Sequence, residues 1–262
     1  MRLLCLPVTA LLIAAAPIPA VPGPVPTYAD LAALTLVSPV IVRATIVRAD
    51  RLSAKDAPDV APGRARVLIR AALAAALKAP AAVPAEISYL VEVPLTAGKP
   101  PRLKGAGVLL FLRPGGEPGQ FTLVSAAAQV AATAAAEATT RAVLATASDP
   151  AIPVVKGIGN AFRVPGAVPG EAESQFFLTT TGRPVSLVVL TRPGAARTLS
   201  LALGEIVDDA AAPIQRDTLL WYRLACFLPR TLPGGVGGDD RAALADDYAF
   251  VLDTLGACTR NL

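Results

Sequence analysis

The chain has 262 residues, enough for one large domain or two small ones. It is 53% hydrophobic and 17% charged, carries a formal charge of +4, and contains no histidine. The missing imidazole excludes Ser-His-Asp and Cys-His catalysis and most transition-metal sites, and so mild a basic excess does not mark a nucleic-acid binder.

Three cysteines without paired CxxC spacing cannot build a zinc cage, so neither a metal nor a cofactor is expected. Much of the hydrophobic content is alanine, so a core must come from Leu, Val, Ile and a few Phe.

Residues 1–20 have the order of a secretory signal peptide. Met1-Arg2 gives a positive start, and Leu3 to Ala16 runs without charge. Ile18 and Ala20 then stand at the −3 and −1 positions of a cleavage site. The apolar run is shorter than the roughly 18 residues needed to span a bilayer, and Pro7, Pro17 and Pro19 interrupt it. The expected location is therefore periplasmic or extracellular, with Cys5 removed and no transmembrane segment left. Cys226 and Cys258 then remain as an even pair in an oxidising compartment, which predicts a disulfide. Chain entropy assigns about 3–4 kcal/mol to closing such a loop.

A first domain is read over residues 27–149. Thr27 caps a helix to Val37, with Asp30 in its first turn, and Ser38-Pro39 stops it. The β-branched run from Val40 to Ala49 reads as a strand. A long loop follows over Arg51 to Gly63. Arg64 to Leu73 alternates with strand period, with a loose end near Lys78. Glu86 to Val93 is a strand between prolines, and Thr96 to Lys104 is a basic turn. Val108 to Leu112 is short and wholly apolar, which marks a central or doubly buried strand, and Phe121 to Ser125 is another. Thr133 caps an alanine-rich helix to about Ala147, ended by Asp149-Pro150.

The second domain is read over residues 154–262, with the boundary at Pro150 to Pro153. Ala161 to Val164, Ser174 to Thr180, Val185 to Thr191 and Thr198 to Val207 form an antiparallel meander. Asp217 is expected to cap the helix from Thr218, whose stripe is Leu220, Leu224 and Phe227. Asp239 or Asp240 caps a second helix, with Leu244, Tyr248, Val251 and Leu255 on one stripe and Gly256 as its stop.

The order of elements in residues 27–147 resembles an OB-type barrel, and most closely the netrin/tissue-inhibitor (NTR) arrangement. The likeness rests on Leu77-Lys78-Ala79-Pro80, on Gly107 to Leu112, and on Leu103-Lys104-Gly105 in the turn before that strand. The family's N-terminal cysteines are absent. The run from Asp217 to Pro229 resembles uncharacterised exported proteins of sphingomonad-type bacteria. The fold expected is α+β: an OB/NTR-like barrel domain, then a small antiparallel sheet packed on two disulfide-linked helices.

No G-x-S-x-G, S-x-x-K, Walker A or dinucleotide fingerprint is present. The acidic cluster Glu205, Asp208 and Asp209 follows the last strand, and Glu171 and Glu173 sit in a Pro/Gly-rich loop. These carboxylates would have to carry acid–base chemistry in an enzyme. Arg43, Arg48, Arg51, Arg64, Arg66 and Arg70 cluster on the first two strands and read as a solvated barrel exterior. Trp221 reads as a core anchor. The function expected is a non-catalytic binding or interaction protein of the envelope or exterior, with no nucleic-acid partner. A carboxylate-based hydrolase is the alternative. A deep pocket converging on the acids would favour the enzyme, and an apolar groove would favour the binding protein.

Overall fold

A computed structural model describes residues 23–182, 184–202 and 213–262. The proposed leader, residues 1–20, and the cluster Glu205, Asp208 and Asp209 lie outside the described residues. The chain is α+β. It consists of a nearly closed antiparallel barrel-like sheet, a second small antiparallel sheet, and helices packed on both.

Helix α1, Tyr28–Val37, starts with a full capping box. The Thr27 hydroxyl accepts the Asp30 N–H, and the Asp30 carboxylate accepts the Thr27 N–H. The barrel strands are β1 (Val40–Arg51), β2 (Arg64–Lys78), β3 (Glu86–Pro94), β4 (Gly107–Pro114), β5 (Phe121–Leu123) and β6 (Gln129–Ala131). Hydrogen bonding runs β3-β2-β1-β4-β5, and β6 also pairs with β4. A parallel bridge between Ser88 and Gln120 brings β5 to β3 and nearly closes the circuit. This Greek-key circuit is that of an OB-type barrel.

The β1–β2 pairing shifts register at three places, bulges that let two long strands bend around the barrel. Inward Ala65, Val67, Ile69 and Ala71 alternate with outward polar and half-buried side chains along β2. Val108 to Leu112 in β4 are all buried, as their unbroken apolar run requires. β2 continues to Lys78 through the alanines rather than fraying at Leu73, because β1 pairs with it as far as Ile41–Lys78. The short strand β6 has no counterpart among the sequence expectations. Its three residues carry little signal alone and are strand only because β4 offers an open edge.

Helix α2, Ala134–Thr146, is capped by Thr133 as expected. The second sheet has β7 (Val154–Pro165), β8 (Ala172–Thr181), β9 (Val185–Thr191) and β10 (Thr198–Ala202), in the order β10-β9-β8-β7. β7 begins at Val154, well before the expected Ala161, and carries two bulges around Gly157 and Gly159 that obscure its period. Helices α3 (Leu219–Ala225) and α4 (Arg241–Leu255) cover its inner face, with Phe176 against Tyr248 at 5.5 Å between ring centroids.

Two expectations for these helices are corrected. Thr218, not Asp217, caps α3: its backbone is extended and its hydroxyl accepts the Trp221 N–H at 3.1 Å. Asp217 is left at φ 56°, outside the helix. The buried face of α3 is Leu219, Trp221, Tyr222, Leu224 and Ala225, while Phe227 is half exposed. The helix ends too soon for a longer stripe to form. Asp240 precedes α4 but forms no side-chain cap. The stripe Leu244, Tyr248, Val251 and Leu255 is fully buried.

Two hydrophobic cores result, and they share helices. Leu31 and Leu34 of α1 enter the barrel core, while Ala29 and Ala32 enter the second. Ala136 of α2 serves the first and Val143 the second. Cys226 and Cys258 form the disulfide, with Cα atoms 5.1 Å apart. Among the described residues no helix is long and apolar enough to cross a membrane.

Candidate ligand-binding groove

A groove of about 780 Å³ opens between the barrel and the helices. Val91 and Val93 of β3 and Gln129, Val130 and Ala131 of β6 form one wall. Ala135 and Thr139 on the first turns of α2 form another, and Tyr28 and Leu31 of α1 a third. The extended segment from Gly23 to Pro26 and the last residue, Leu262, close one end. The lining is mostly Pro, Ala, Val and Leu because it is the rim of the barrel core itself, left open where the three-residue β6 stops.

The polar groups of the groove are few. The Tyr89 hydroxyl, buried inside the barrel, donates to Gln129 Oε1 at 2.7 Å. This bond orients the Gln129 amide at the groove floor. Burial, followed by the nearby Asp217 carboxylate, pushes the Tyr28 phenol up to about 12. Tyr28 therefore stays neutral at physiological pH, and its ring meets Trp221 edge-on at 6.2 Å. Arg64 pairs with Glu92 at 3.6 Å on the rim, and Arg66 binds the same carboxylate at 2.7 Å.

The wall formed by residues 23–31 is held from the far end of the chain. The buried Asp30 carboxylate accepts the Thr27 hydroxyl at 2.9 Å and the Asn261 N–H at 3.0 Å. The Thr27 hydroxyl also reaches the Thr259 carbonyl at 2.9 Å, and the Asn261 amide donates to the Val25 carbonyl at 2.8 Å. The disulfide anchors this tail to α3 just before it crosses α1. Sequence reading assigned Asp30 only to the helix N-terminus. Its second role depends on a contact across almost the whole chain and leaves no local signal.

Of the candidate acids, the two among the described residues, Glu171 and Glu173, do not line the groove. Glu171 pairs with Arg192 at 3.3 Å beside the second sheet, and Glu173 on β8 accepts from Gln175 at 2.6 Å. No group of three or more His, Cys, Asp or Glu residues that could hold a metal is found among the described residues. The arginines of β1 and β2 are largely matched by carboxylates: Arg43 by Glu137, Arg48 by Asp50, Arg66 by Asp59 and Glu92. Arg51 donates to the Gly98 carbonyl at 3.1 Å, while Arg70 is exposed opposite Arg48. Trp221 is buried as expected, its indole donating to the Leu255 carbonyl at 2.8 Å with the Arg216 guanidinium 5.1 Å above its ring. Gly256 permits this approach, since a Cβ there would lie 2.3 Å from Arg216 Nη1 and φ is 71°.

The fold and the groove define a two-core α+β chain with an OB-type barrel and an apolar cleft at its rim. No family model matches this chain, and no curated protein is similar to it.

Proposed function

We propose that this chain is exported by a cleaved leader, residues 1–20, and acts in the periplasm or outside the cell as a binding protein, not as a catalyst. Its ligand lies in the groove at the barrel rim. The apolar walls of that groove carry this reading, because an apolar cleft of this size with a few polar groups is the usual form of a small-ligand site. The disulfide supports the assigned compartment, since such bonds persist where the surroundings are oxidising. The resemblance to exported proteins of sphingomonad-type bacteria belongs to the same reading.

The experiment is a fluorescence titration with N-phenyl-1-naphthylamine, an apolar dye that brightens when sheltered from water. Saturable brightening is expected, and it should be lost in Ala135→Trp. Ala135 is exposed on α2 and lines the groove, so the indole fills the cleft without entering a core. Brightening unchanged by Ala135→Trp would place the dye elsewhere and defeat the assignment.

A further inference from the structure

We propose that the groove selects amphiphiles with a cationic head, holding the apolar body between β3, β6 and α2 and the positive group beside Asp217. The inference rests on the reading of the groove as the ligand site. Three charged side chains line the groove: Arg64, Glu92 and Asp217. The first two neutralise each other, and Glu92 is further bound by Arg66. Asp217 has neither a hydrogen bond nor an ion pair among the described residues. Thr218 has taken the capping position, so the Asp217 carboxylate is not used by α3. Its backbone is held in the left-handed region at φ 56°, which Asp and Asn tolerate better than most residues. Among the described residues, the unmatched charged side chain of the groove is thus one carboxylate, exposed at its edge. An anionic head placed there meets repulsion, a neutral head gains nothing, and an ammonium gains an ion pair.

The test compares three ligands with one chain length and different heads: dodecyltrimethylammonium, dodecyl maltoside and dodecyl sulfate. Each displaces the naphthylamine dye from the full disulfide-bonded protein below its micelle-forming concentration. The cationic ligand should bind about fivefold tighter than the anionic one, the upper range of a partly exposed ion pair. Asp217→Asn, which suits the same backbone, should close that gap. Asp253→Asn, exposed on α4 away from the groove, should leave it open. Equal affinities in the unaltered protein, or tighter binding of the sulfate, would overturn the charge assignment while leaving the groove as a site. If none of the three displaces bound dye, the groove reading itself falls as well.

Discussion

The Asp30 carboxylate accepts the backbone N–H of Asn261 at 3.0 Å, joining the first turn of the first helix to a residue 231 positions later. It also accepts from the Thr27 N–H and hydroxyl at 2.9 Å, so a buried charge is met by several donors. Asp30→Ala should therefore cost about 2–4 kcal/mol, through the lost cap and the orphaned donors together. Asp30→Asn should cost less, because its amide oxygen still accepts. Urea denaturation of the two variants checks this order, and equal costs would mean that an acceptor oxygen without the charge does not hold the tail.

The disulfide anchors that tail, so reduction should act at both ends of the chain. Stability should fall by about 3–4 kcal/mol if loop entropy governs the effect. Amide hydrogen exchange should rise at Asn261 and at Asp30 when Cys226 and Cys258 are reduced, although these residues keep their sequence neighbours. Mass analysis after alkylation without reductant gives the simpler check, since no alkyl group should be added at Cys226 or Cys258.

A second buried charge holds the other core. Asp247 is buried, bonded to Arg163, to the Ser174 hydroxyl at 2.6 Å and to Arg197 at 3.3 Å. This network ties α4 to the second sheet. Asp247→Ala takes the anion from Arg163, while Arg197 keeps Asp246 at 2.7 Å, and should destabilise by about 3–5 kcal/mol. Ser174→Ala should cost less, because Arg163 keeps its direct contact with Asp247. A double-mutant cycle between the two positions should show non-additivity.

Thr140, on α2, is fully buried and its hydroxyl has no hydrogen-bond partner. Thr140→Val keeps the shape and removes the desolvated hydroxyl, so the variant should be more stable by about 1 kcal/mol. Thermal unfolding checks the sign, and a lower Tm would show that the hydroxyl is engaged.

Alkaline stability follows from the tyrosines. Burial, aided at Tyr28 by the Asp217 carboxylate, raises Tyr28 and Tyr248 from 10.0 to about 12, and burial raises Tyr89 further. The folded chain thus holds phenol protons that the unfolded chain releases. Stability from this source is whole below pH 10.0 and is lost as pH climbs toward 12. Denaturation midpoints across that interval should fall, and the phenolates of Tyr28, Tyr89 and Tyr248 should appear late, with unfolding. Early ionisation of Tyr89 without unfolding, read from the difference between the protein and Tyr89→Phe, would contradict its burial.

Most of the barrel was legible because its strands carry their own signals. Val108 to Leu112 is an unbroken apolar run, and Glu86 to Val93 alternates between prolines. β6 and the first half of β7 were not, since pairing with β4 and two bulges decide them rather than composition. The disulfide could be read from compartment and count alone. The groove could not, because Gln129, Ala135, Tyr28 and Asp217 are ordinary residues until four separate segments bring them together. Asp217 drew notice as a helix cap, and its residue type suits that role. Only the backbone geometry shows Thr218 in its place.

The groove itself is tested most directly by amide chemical shifts recorded during titration with the naphthylamine dye. Shifts concentrated at Tyr28, Gln129, Ala131 and Ala135, on elements far apart in sequence, are the expected result. A dye that saturates while those four amides stay still, with the shifts gathered on the second sheet, would contradict a binding site at the barrel rim.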